Sequence, residues 1–177
     1  MAVLKILARS VKFAEKGKES GTGRMPVLII RHADERGFSA YQFQPPLNKK
    51  NKIVVGVGTV TAGVKGEHSG KGLTRELFEQ HLTPVFSELA RRAGKNVVHQ
   101  PVVAKNNERM KFFLKKQGYS EAGVIEGALR FSKTYRPAGS KLPLEREEEK
   151  IVKWFLSKRF KRWTPEEEHP IGIGATG

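Results

Sequence analysis

Residues 64–78 read V-K-G-E-H-S-G-K-G-L-T-R-E-L-F and gather the residue types that hold a phosphate. A β-branched apolar run, 53–64, leads into a glycine-rich loop, and the loop opens directly into a helical pattern. A backbone arranged this way turns unpaired N–H groups toward an anion at a helix N-terminus. The loop is not a nucleotide-binding P-loop. Lys65 stands where G-x-x-x-x-G-K-[ST] needs its first glycine, and Gly72 follows Lys71 where a hydroxyl would bind Mg²⁺.

The elements around this loop follow from periodicity. Near the N-terminus, Leu4, Leu7, Ala8 and Val11 recur at helical spacing, with Lys5, Arg9, Lys12 and Lys16 on the other side. Alternation through Val3, Lys5 and Leu7 also allows a strand, and the basic, acid-poor composition before Glu15 also suits a mitochondrial presequence. Residues 17–25 read as a polar connector. Residues 26–33, 38–44 and 53–64 read as three strands of a meander, with Gly56, Gly58 and Gly63 in the third. Interior glycines mark a bulge or the close approach of a ligand.

From Leu73 the period becomes helical, through Leu77, Val85, Phe86, Leu89 and Ala93. Pro84 should kink this helix, and Gly94 should stop it. A strand over 96–104 is interrupted by Pro101. Asn106 and Asn107 cap a short helix whose apolar side is Phe112, Phe113 and Leu114, and Gly118 ends it. Residues 122–125 and 129–135 form a last strand pair around Gly127. After a linker, 144–163 form a long helix with Ile151, Trp154, Phe155 and Phe160 on one face. Its acids lie at the start and its bases at the end, as the helix dipole prefers. The basic, Trp-containing end would also suit RNA or a partner. Residues 164–167 read as a further capping box.

Two motifs in this frame resemble the GNAT superfamily of N-acyltransferases. Val64 ends a strand, and Gly70, Lys71, Gly72 and Leu73 match the family's [RQ]-G-x-G-[IL]-G/A loop. Asn107, Phe113, Lys116, Gly118 and Tyr119 match its second motif, N-x-x-A-x-x-F-Y-x-K-x-G-F. The resemblance covers roughly residues 26–135. It implies an α/β (α+β) fold: a mixed, mostly antiparallel sheet flanked by helices, here with a C-terminal helical extension. The implied division is a basic N-terminal element and connector (1–25), a GNAT-like domain (26–136) and a basic helical extension and tail (137–177). It implies acetyl-CoA, or another acyl-CoA, as cofactor. Val64, Ser69, Gly70, Lys71, Gly72, Leu73, Thr74 and Asn107 are the implied cofactor-binding residues.

The departures are specific. Ser69 stands in place of the usual Arg or Gln. Thr74 puts a β-branched side chain where a small residue lets phosphate approach. Leu114 replaces the Tyr that protonates the departing thiolate. No carboxylate lies within 53–66, so Glu67 and His68 are the nearest candidates for a catalytic base; either would equally serve as a solvated loop residue. The connector before Pro26 is too short for the family's two acceptor-site helices, which implies an open site suited to an amine on a macromolecule.

Composition bounds the rest. The 177 residues carry 33 Lys and Arg against 18 Asp and Glu, a net charge of +15, which attracts polyanions. No cysteine is present, which excludes disulfides, a thiol nucleophile and Cys-based metal sites. No apolar run approaches the roughly 20 residues of a membrane span, and no secretory signal is legible. An intracellular setting is expected, in cytoplasm or mitochondrial matrix. Two functions fit. One is an acyl-CoA-dependent N-acyltransferase. The other is a non-catalytic GNAT-fold subunit of a ribonucleoprotein assembly, such as a mitochondrial ribosome or a virion, contacting nucleic acid through its basic surface and C-terminal helix.

Overall fold

The ambiguous N-terminal segment is a strand, β1 (Val3–Ala14), paired antiparallel along its whole length with β2 (Thr22–Asp34). Alternation prevails over the helical spacing because Leu4 and Ile6 both turn toward the core while Leu7 stays 42% exposed. The computed structural model describes residues 2–14, 22–56, 60–61, 72–125 and 127–161. Strand β3 (Gly37–Phe43) pairs with β2 from Leu28 to Asp34. Pro26 therefore lies before β3 joins, where a missing N–H costs no ladder bond on that side.

The expected third strand is divided. Its first part, β5 (Lys52–Val55), follows the short β4 (Leu47–Asn48), and its second part is β6 (Val60–Thr61). Strand β7 (Asn96–His99) is parallel to β5, β8 (Val102–Ala104) follows Pro101, and β9 (Ser120–Ile125) and β10 (Ala128–Tyr135) form the final hairpin. The ladders run β1-β2-β3-β6 and β4-β5-β7-β10-β8, with β9 on β10. Every pairing described is antiparallel except β5 with β7.

The central helical segment begins as α1 (Leu73–Glu76), widens to a π-helix (Leu77–Leu82) and continues as α2 (Thr83–Ala93). The wide turn is the answer to Pro84. Proline brings no N–H and needs room for its ring, and a π turn supplies that room. The Phe78 carbonyl accepts the Thr83 N–H, five residues on, and also the Thr83 hydroxyl at 2.9 Å, which holds the wide turn. Gly94 closes the helix at φ +67.

Helix α3 (Glu108–Lys116) turns Met110, Phe113 and Leu114 inward, an i, i+3, i+4 set. Phe112 departs from expectation: it is 62% exposed on the opposite face, with the Lys116 ammonium 4.8 Å from its ring centroid. The C-terminal helix, α4 (Arg146–Phe155), is shorter than its periodicity suggests. The chain breaks at Ser157 (ψ 133) and makes one 3₁₀ turn, Lys158–Phe160, which brings Phe160 against the Trp154 ring at 4.8 Å. A capping box between Glu145 and Glu148 starts α4. The second box expected at 164–167 lies outside the described residues. Ile151, Val152 and Phe155 of α4 are buried in the same core as Phe43 and Phe86.

Candidate functional site

The sheet opens at one place. Strands β5 and β7 pair from Lys52 with Asn96 to Val55 with His99, and Gln100 N–H donates to the Val55 carbonyl at 2.8 Å. Past that bond the two chains take different partners. Strand β6 pairs with Ala40 and Tyr41 of β3, while β8 pairs with residues 128–130 of β10. Pro101, without an N–H, cannot extend the parallel ladder. Its carbonyl accepts from Phe131 instead, at 2.9 Å. Among the described residues no ladder joins β6 to β8, so the two chains diverge beyond Val55 and His99.

The helix entrance is formed by Gly72 at φ +88, a conformation that favours glycine. Among the described residues no side chain caps this helix start, so the first-turn amides are available to an anion. Thr74, which follows, is not free. Its hydroxyl lies 3.0 Å from that of Ser39 on β3, fixing the side chain against the sheet. Leu73 is buried. Asn107 is the N-cap of α3, its side-chain oxygen accepting from Met110 N–H at 3.1 Å. Val64, Glu67, His68, Ser69, Gly70 and Lys71 lie outside the described residues. Leu114, at the position of the family's acid, is fully buried in the core.

Two polar clusters were not anticipated from the sequence. The first lies behind the opening. Tyr41 is bonded to His99 Nε2 at 2.7 Å, His99 Nδ1 to Tyr119 at 2.6 Å, and Tyr119 to Tyr135 at 2.8 Å. Burial, with the Lys133 charge nearby, holds His99 down at about 3, so its imidazole is neutral. Burial likewise raises Tyr41, Tyr119 and Tyr135, so all three remain phenols. Every member has a partner, and the network fixes the register of four strand and loop segments. The signal for it was His99 two residues after Val97, on the core face of a strand.

The second cluster lies on the other side of the α1 entrance. Arg36 donates to both oxygens of Asp34 and both of Glu76. Its guanidinium holds both carboxylates below their usual range. Glu76 is therefore an acceptor, and His32 Nε2 donates to it at 3.2 Å. Burial lowers the basicity of His32. Its other nitrogen, Nδ1, is then the unprotonated one, and it has no hydrogen-bond partner. The His32 ring meets that of His81 edge-on at 5.0 Å. His81, four residues from both Leu77 and Val85, interrupts the apolar stripe of the central helix, and this was its sequence signal.

A mixed, mostly antiparallel sheet flanked by helices, opened between a parallel pair, is a GNAT-like fold. Comparison by sequence finds no matching family and no matching curated protein. Comparison by structure finds a PaiA N-acetyltransferase from Thermoplasma acidophilum in complex with coenzyme A. It is 14% identical over 62% of this chain and 61% of that one, with a TM-score of 0.43. The ribosomal-protein-S18-alanine N-acetyltransferase from Escherichia coli is 16% identical over 81% of this chain and all of that one, with a TM-score of 0.44. The GNAT domain of S. lividans PAT is 16% identical over 61% of this chain and 60% of that one, with a TM-score of 0.43. The chain thus spans about three-fifths of the first and third of these proteins.

Proposed function

We propose that this chain is an acyl-CoA-dependent N-acyltransferase that acetylates an amine carried on a macromolecule. The observation that supports this reading is the parting of β5 and β7 at Val55 and His99, together with the uncapped helix start at Gly72. An extended pantetheine arm needs unpaired strand edges, and a pyrophosphate needs free helix amides. Gly72 fits such a cradle: among the described residues a Cβ there would meet only the Arg75 guanidinium, at 3.7 Å, and its φ disfavours most side chains. In this reading the backbone of Val64 lines the pantetheine. The amides from Ser69 to Thr74, with the Lys71 charge, hold the phosphates, and Asn107 flanks them from the start of α3.

Acyl-CoA, when bound, supplies an activated thioester carbon. The chain's own residues orient it and handle protons. Glu67 and His68 are the proposed bases for the attacking amine. Leu114 cannot donate a proton, so thiolate departs unassisted by that position. The acceptor side favours a large substrate. Strand β1 ends at Ala14 and β2 begins at Thr22, so only residues 15–21 stand where the family places two helices.

One observation supports a second reading, a non-catalytic GNAT-fold subunit that contacts RNA in a ribonucleoprotein assembly. The position of the family's acid is core, not pocket, in a chain of net charge +15. A thermal-shift titration separates the two. Acetyl-CoA at millimolar concentration should raise the melting temperature by mass action if the cradle binds it. No shift, together with salt-sensitive RNA binding, would favour the second reading. Mass spectrometry of basic peptides incubated with acetyl-CoA then tests transfer itself.

A further inference from the structure

A cavity of about 730 Å³ lies between the start of β1, the end of β2, the π-helix and the first turn of α4. The acyl-transfer reading makes no use of it. Asp34, Glu35, Glu76, Glu145 and Glu147 line it together with Arg36 and Arg146, five acids against two bases in a strongly basic chain. His81 Nδ1 and one carboxylate oxygen each of Glu145 and Glu148 lie within 4.8 Å of one another. His81 and Glu148 are buried, 2.9 Å apart, while Glu145 is exposed at the rim. Beside them stands His32, 1% exposed, whose Nδ1 lone pair meets no donor. An unmet buried acceptor carries a desolvation cost that folded proteins seldom leave uncompensated.

We propose that His81, Glu145 and Glu148 bind a divalent transition-metal ion, best matched by Zn²⁺, with the remaining coordination left to solvent and His32 lining the same cavity. Mixed imidazole and carboxylate donors suit zinc, whereas Mg²⁺ and Ca²⁺ select oxygen alone. Zinc bonds of about 2.0–2.2 Å require donors roughly 3–4 Å apart. Closing the present spacing to this would exchange the capping contact of the exposed Glu145 side chain with the Glu148 amide for the ion. In the ion-free state the His81 Nδ1–H donates to Glu148 Oε2; on binding the ring stays neutral, the ion taking the lone pair of one ring nitrogen while the proton sits on the other. Outside the ligands, Arg36 orients Glu76 and Glu76 holds the Nε2–H of His32. That carboxylate fixes the tautomer of His32 and leaves its Nδ1 lone pair in the lining of the cavity. The ion would tie the π-helix to the start of α4. If His81 and Glu148 formed only a structural hydrogen bond, the buried Nδ1 lone pair of His32 would remain uncompensated.

The test uses the full chain stripped with chelator. Calorimetric titration with ZnCl₂ should show one equivalent bound, with a rise in melting temperature that MgCl₂ does not reproduce. Glu145→Gln, at the rim, should fold and bind zinc at least tenfold more weakly, on the order of the loss seen for altered metal ligands. X-ray absorption of the zinc-loaded chain should show imidazole scattering. No binding at about 100 μM zinc, unchanged affinity in Glu145→Gln, or an all-oxygen shell would each overturn the proposal. Because none of these readouts needs acetyl-CoA, failure here is distinguishable from failure of the acyl-transfer reading.

Discussion

Arg92 on α2 and Glu149 on α4 face each other fork to fork, with two guanidinium–carboxylate bonds of 2.6 Å. Arg92 also reaches the buried Glu88, which accepts the Leu142 N–H at 3.1 Å. The linker and the C-terminal helix are thereby pinned to the central helix. Beneath this polar seam Ile151, Val152 and Phe155 complete the core. Removing residues 144–177 should therefore cost the fold its cooperative thermal transition, measured by circular dichroism. Phe155→Ala alone should cost about 3–5 kcal/mol in urea unfolding. A truncated chain that melts like the intact one would show that α4 is dispensable.

His99 predicts an acid sensitivity. Its native value of about 3 lies below the ordinary 6.5, so the unfolded chain takes up a proton that the native chain refuses. Stability from this group is full above pH 6.5 and is lost progressively as pH falls toward 3. Each unit within that window costs about 1.4 kcal/mol. Urea midpoints at pH 7 and pH 5 should differ accordingly. His99→Gln, if it folds, should flatten the dependence; an equally steep profile would assign it to other groups.

The positions of most elements were legible because their periods are clean. The first two strands of the meander, the central helix with its Pro84 irregularity and the Gly127 hairpin follow from spacing, whereas the expected third strand divides between two ladders. What failed was local competition. Leu4, Ile6 and Leu7 satisfy both periods over a few residues, and only pairing with β2 decides between them. Phe112 is as apolar as Phe113, and only the placement of Leu114 against the core fixes which one faces out. The polar clusters were hidden for a different reason. His32, His81 and His99 each sit singly within an apolar pattern. Their partners, Glu76, Glu148 and Tyr119, come from distant segments, so no local spacing announces them.

Leu114 gives a direct test of how the divergent motif relates to activity. Introducing the family's acid by Leu114→Tyr should not raise transfer rates. The new ring must enter a fully buried position in the same core cluster as Phe78 and Phe131. Overpacking of this kind costs about 1–3 kcal/mol. A lowered melting temperature with unchanged turnover is the expected result. A variant that is equally stable and faster would place residue 114 at the site after all.

Gly72 separates cofactor binding from folding. At φ +88 an alanine is strained, by an amount on the order of 1 kcal/mol, yet among the described residues its Cβ meets nothing closer than the Arg75 guanidinium at 3.7 Å. Gly72→Ala should therefore fold with a small loss in stability. If the amides at this helix start hold the pyrophosphate, relief of the strain re-aims them, and acetyl-CoA affinity should fall by more than the stability does. The comparison is made by titrating acetyl-CoA against wild type and Gly72→Ala at a temperature where both are fully folded. Gly94→Ala, at φ +67 at the far end of the same helical segment, serves as the control. It should carry a similar strain and leave acetyl-CoA affinity unchanged. Equal affinities for all three proteins would remove Gly72 from the cofactor site and leave it as a turn residue.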